Sequence, residues 1–152
     1  MMQRLVALSI AFMALVAFAG CGKPTMVPVK IKVTHDGKPV GNCAVKLVQD
    51  VEPFDITKHG IGYGYTDANG ECEIAHQMTA EKGLYPGSYK VTFEAWKNVK
   101  GKEVPPTAKP SEVEGGVIDR LPKIYKSLGT TTERLEVAAG TPIDREFALT
   151  GK

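Results

Sequence analysis

The chain has 152 residues, 43% of them hydrophobic and 24% charged, with 19 basic and 17 acidic side chains and a net charge of +2. That near balance argues against nucleic acid or an anionic surface as partner, because phosphate binding needs a concentrated basic patch. The length fits one domain able to bury a core.

The first twenty residues read as an address. Met1-Met2-Gln3-Arg4 is a short positive start, residues 5–19 are uncharged, and Phe18-Ala19-Gly20-Cys21 sets two small residues before a cysteine. This order reads as a bacterial lipoprotein signal at residues 1–20, with cleavage leaving Cys21 to carry fatty acyl chains on its thiol and amine. A transmembrane anchor is the competing reading, but the fifteen residues 5–19 at ~1.5 Å each span about 22 Å, short of the ~30 Å hydrocarbon core. A secretory signal cut after Ala17-Phe18-Ala19 is another, and Phe18 stands where such lipoprotein signals usually carry Leu.

The anchor rests on buried methylenes, each contributing roughly 0.8 kcal/mol; one chain binds reversibly and two or three hold. Removing Arg4 takes the basic count from 19 to 18 against 17 acids, a net of +1. Gly22 is not the Asp that some bacteria use for inner-membrane retention, so the expected place is the cell envelope, with the outer membrane favoured. Residues 21–26 form a short tether.

Residues 27–33 alternate apolar and polar side chains, the pattern of a half-buried strand. Asp36-Gly37 supplies hairpin chemistry, and Cys43, Val45 and Leu47 line one face of a second strand. Residues 61–66, rich in Gly and Tyr, form a third; after the turn at residues 67–70, Cys72, Ile74 and His76 share the parity of a fourth. Tyr85-Pro86-Gly87 then leads into a fifth, where Tyr89, Val91, Phe93 and Ala95 alternate with Lys90, Thr92, Glu94 and Trp96. Leu135 and Val137 mark a sixth, and Ile143, Arg145, Phe147 and Leu149 a seventh. About seven short strands with turns between them predict an all-β fold, a single antiparallel β-sandwich (Ig-like or transthyretin-like) over residues 27–150. Residues 49–60 read as a charged loop, and residues 98–131 as a loop whose length is usually functional or mobile.

Asp36-Gly37-Lys38-Pro39-Val40, Ala44-Val45-Lys46-Leu47, the stretch from Thr66 to Ile74, and Tyr85-Pro86-Gly87-Ser88-Tyr89-Lys90-Val91 occur in that order. Together they resemble the carboxypeptidase regulatory-like domain, a transthyretin-like β-sandwich of small secreted lipoproteins. Leu121-Pro122-Lys123-Ile124-Tyr125 and Leu135-Glu136-Val137 resemble the downstream half of those lipoproteins. The resemblance implies a non-catalytic accessory module with no shared active-site residues. Cys43 and Cys72 depart from it, standing where a small Ala and an aromatic residue are usual.

Alternation places both cysteines on the core face. With Cys21 consumed by lipid, one pairing remains, and in an oxidising compartment a Cys43–Cys72 disulfide is expected. The alternative is two buried free thiols acting as small hydrophobes. No C-x-x-C spacing points to redox use.

The remaining chemistry is sparse. His35, His59 and His76 lack metal-ligand spacing, and grouping His59 with Tyr63 and Tyr65 as an iron site asks more than one loop and one strand provide. Ser88, Ser111 and Ser127 sit in no nucleophile motif. Asp50, Glu52 and Asp55 do not follow a calcium-loop pattern, and residues 60–64 lack the Lys-Ser/Thr of a phosphate loop. Trp96 falls on the outer face of its strand, where with Tyr63 or Tyr65 it could stack on a sugar or a protein partner, unless residues 98–131 cover it. The expectation is a lipid-anchored envelope module, not an enzyme. It requires no metal and no cofactor, and its partner is an envelope protein or a glycan. A carbohydrate-binding lipoprotein using Trp96 is the alternative, and a metal-dependent envelope enzyme a weaker one.

Overall fold

The computed structural model describes residues 25–151. The leader at residues 1–20 and Cys21 lie outside them. The strands are β1 (Val29–His35), β2 (Lys38–Pro39), β3 (Cys43–Gln49), β4 (Ile61–Tyr65), β5 (Glu71–Glu73), β6 (Ala75–His76), β7 (Gly87–Asn98), β8 (Glu103–Val104), β9 (Val117–Asp119), β10 (Arg134–Val137) and β11 (Ile143–Leu149). One short helix, α1 (Ile56–His59), precedes β4.

The fold is an all-β sandwich of two sheets. The first has the order β11-β1-β2, with β5 also on β1; the second runs β10-β7-β3-β4-β6, with β8 and β9 added at the end of β7. Pairing is antiparallel except between β1 and β11, which lie parallel from Val29↔Ile143 to His35↔Leu149. Parallel neighbours need a crossover connection, and here the whole intervening chain supplies it. Six of the seven strands read from alternation are present as single strands; the fourth, read through Cys72, Ile74 and His76, instead divides at Ile74 into β5 on β1 and β6 on β4, one in each sheet, and β2, β8 and β9 are short additions.

Alternation decides what is buried. Val29, Ile31 and Val33 of β1 face Cys43, Val45 and Leu47 of β3 and Tyr89, Val91, Phe93 and Ala95 of β7, and all are buried. Phe147 of β11 closes on Phe93, with ring centroids 5.2 Å apart. On the outer face of the first sheet, register places Lys30 between Glu73 and Asp144 and Lys32 between Glu71 and Glu146. That surface is a charge ladder of cross-strand pairs, an arrangement that favours water.

Residues 98–131 are more ordered than their composition predicts. They contribute β8 and β9, which flank the end of β7, and two 3₁₀ turns at Pro110–Glu112 and Lys123–Tyr125. Tyr125 anchors the second turn: its ring meets Phe93 edge-on at 6.4 Å, and its hydroxyl donates to the Thr150 carbonyl at 3.1 Å. Lys126 then bonds Glu94 and Asp119, each at 3.0 Å, which holds the turn to β7 and β9.

Phe93 touches both the β11 and the Tyr125 sides of the core, so its truncation leaves a void between the sheets. Phe93→Ala is expected to destabilise the domain by about 3–5 kcal/mol, read from urea denaturation at constant m-value.

Candidate functional site

The site grows from four alternating residues of β4. Gly62 and Gly64 are buried and point inward, while Tyr63 and Tyr65 point outward. The parity is enforced by how closely the opposite layer approaches. A Cβ on Gly62 would sit 2.5 Å from Leu84 Cδ2 and 2.8 Å from Ile74 Cγ2. A Cβ on Gly64 would sit 2.9 Å from Ile74 Cδ1 and 3.0 Å from both Cys72 Sγ and the Glu73 carbonyl oxygen. Only hydrogen fits there, so both tyrosines are set on the solvent side, with ring centroids 6.0 Å apart and planes tilted by 59°.

Register extends this face across the sheet. Tyr63, Lys46 and Thr92 form one row, and Tyr65, Ala44 and Glu94 the next. Ala44, being small, leaves a trough between Tyr65 and Glu94, and Gln77 borders it beside Lys46 and the tyrosines. Tyr65 remains 49% exposed. The result is a shallow surface with two aromatic rings, an ammonium and an amide, the Glu94 carboxylate beyond it being paired with Lys126. Such a set can stack on an apolar ring face and hydrogen-bond the hydroxyls or amides around it.

Trp96 occupies the next outward position of β7, beyond Glu94. The short strands β8 and β9 meet β7 there, at Val104 and Asp119. The indole is half-buried, and its N–H is sealed from solvent with no hydrogen-bond partner among the described residues. Tyr63 and Tyr65 are therefore brought together, whereas Trp96 sits further along with its polar edge covered.

The expected Cys43–Cys72 disulfide is not formed; both thiols are free. The cysteines do lie on inner faces of opposite sheets, but at different levels. Cys72 Sγ fills the hollow over Gly64, which pairs with Val45, while Cys43 Sγ turns to the carbonyl of Ala44 at 3.6 Å. Burial pushes each thiol up to about 12 from 9.0.

Of the other polar residues singled out by sequence, His35, His59, Asp50 and Asp55 have local partners, whereas one ring nitrogen of His76 has none among the described residues. His35 Nε2 lies 2.8 Å from the Gly151 carbonyl, and His59 Nδ1 accepts the Asp55 N–H at 3.0 Å while its ring packs on Phe54. His76 is buried edge-on to Tyr85 and against Gly60, and its Nε2 has no partner among the described residues. Asp50 pairs with Lys90 at 2.8 Å, and Asp55 caps α1 by accepting the Thr57 N–H at 2.9 Å. Among the described residues, no three His, Cys, Asp or Glu side chains converge on a common point.

No protein-family model matches the chain, and comparison with curated proteins and with solved structures returned no similar protein.

Two outcomes follow from this packing. Gly64→Ala forces a methyl against Ile74, Cys72 and the Glu73 carbonyl, and is expected to lower stability by about 1–3 kcal/mol, measured by thermal melting. Cys43, Cys72 and Tyr89 all ionise near 12 in the fold, against 9.0 for the thiols and 10.0 for the phenol when free. The unfolded chain therefore loses these protons first. The stability these three groups contribute is fully present below about pH 9 and is lost as pH rises toward 12, which equilibrium denaturation across that range should record.

Proposed function

We propose that this protein is a lipoprotein of the cell envelope, anchored through acylated Cys21, whose β-sandwich is a non-catalytic binding module. In this reading it belongs with the carboxypeptidase regulatory-like lipoproteins whose ordered motifs it resembles, and the outer membrane is the favoured location. The ligand surface is the outer face of the second sheet, centred on Tyr63 and Tyr65. The observation that carries the reading is the paired outward tyrosines above Lys46 and Ala44, set against a first sheet whose outer face carries rows of lysine and carboxylate.

A glycan is the ligand class that the tyrosine pair favours, since neighbouring tilted rings accept the apolar face of a sugar. An envelope protein is the second class, and an extended segment could lie along the trough. Trp96 is a lesser contributor, because its polar edge is covered.

The anchor is tested by detergent-phase partition. The processed wild type should enter the detergent phase and Cys21→Ser should remain in the aqueous phase. Equal partition would remove the anchor. The face is tested on a glycan array and by crosslinked pull-down from envelopes. Tyr63→Ala with Tyr65→Ala should lower captured signal at least tenfold while Trp96→Ala changes it little. A profile unaltered by the tyrosine pair would remove this face from the account.

A further inference from the structure

The chain enters the sandwich at one pole, and that pole carries exposed apolar side chains. Val27 exchanges backbone hydrogen bonds with Leu84 at 2.8 and 2.9 Å, and the position of a Cβ on Gly83 lies 3.4 Å from Met26 Cβ. The adjoining turn at residues 77–82 is fixed to the same end, because Ala75 bridges Lys82 and the Gln77 N–H bonds the Ile61 carbonyl at 2.6 Å. The latter bond joins it to the segment holding α1, and Gly60 packs on His76 between the two. Met78 on the turn is 63% exposed, and Phe54 and Ile56 beside α1 are 39% and 41% exposed.

The opposite pole differs. Its turns are Asp36-Gly37-Lys38, residues 67–70 and residues 98–101, and the large apolar side chains exposed there, Val99 and Ile118 beside Lys97, sit at the far end of β1 from the chain entry.

We propose that Phe54, Ile56 and Met78 form a rim that dips into the headgroup and acyl boundary of the bilayer, so that the sandwich stands on the membrane with its chain-entry pole down. This rests on the acylated Cys21 of the preceding section. Four residue steps separate Cys21 from Thr25, at most ~3.6 Å each, so the acyl chains lie within about 15 Å of the entry pole. A tether that short keeps this end at the surface, and exposed apolar side chains held there exchange water for lipid.

The charge of the rim selects the lipid class. Lys58 and Lys82 are balanced by Asp55 and Glu73, with which they pair, and Glu52 and Glu81 add negative charge. The surface is therefore suited to zwitterionic lipid and gains nothing from anionic lipid.

The test uses the processed, acylated full-length protein in phosphatidylethanolamine–phosphatidylcholine vesicles. An environment-sensitive fluorophore is placed through Met78→Cys in one sample and Lys38→Cys, at the far pole, in another. Flotation of the vesicles is measured in the same tubes. The rim predicts that lipid brominated at shallow acyl positions quenches the label at position 78 at least threefold more than the label at 38. Adding anionic lipid or salt should leave that difference unchanged. Flotation with equal or no quenching at both positions overturns the rim and leaves the anchor standing. A label at 78 that is shielded from aqueous iodide yet unquenched by brominated lipid assigns the rim to a protein neighbour and also overturns it. Failure to float overturns the anchor and the rim together.

Discussion

The close approach of the two layers over β4 is the constraint on which the rest of this molecule depends. Where Ile74, Leu84 and Cys72 press on β4, the distance leaves room for hydrogen alone at positions 62 and 64. Every other residue of that strand is then committed to the outside. A register slip by one would drive two tyrosines into a space that cannot hold a methyl group. The same contact therefore fixes the strand's register, seals this part of the core and displays the aromatic pair.

The two outer faces follow from that commitment and from strand order. On the first sheet, neighbouring strands bring acid, lysine and acid into two rows, with Lys30 between Glu73 and Asp144 and Lys32 between Glu71 and Glu146. On the second sheet, β3 offers Ala44 and Lys46 between the tyrosines of β4 and the polar row of β7. The small side chain at position 44 opens a trough that a larger one would fill.

Much of this was legible from the chain. Strict period-two alternation at Val29, Ile31 and Val33 and at Tyr89, Val91, Phe93 and Ala95 needs no tertiary information to interpret, and six of the seven strands followed from it, while the shared parity of Cys72, Ile74 and His76 hid the break that sends β5 and β6 to different sheets. Parity also placed Cys43 and Cys72 inward correctly. Their levels along the sandwich were not legible, because level depends on how β5 docks across from β4, and Gly64 makes the hollow that Cys72 fills. The short strands β8 and β9 were hidden for a different reason. Glu103–Val104 and Val117–Asp119 are too brief to show a period, and they pair only because β7 outruns its partners. Burial of the Trp96 ring nitrogen likewise comes from the segments that meet β7 there, which alternation within β7 cannot reveal.

The outward display of Tyr63 and Tyr65 is most directly tested by tyrosine nitration of the folded protein, followed by peptide mass mapping. The close-packed β4 requires Tyr63 and Tyr65 to be modified readily while Tyr89 and Tyr125, buried in the core, stay unmodified until denaturant is added. Protection of the β4 pair in the free protein, or modification of all four at one rate, would contradict the inward glycines and the contact face built on them.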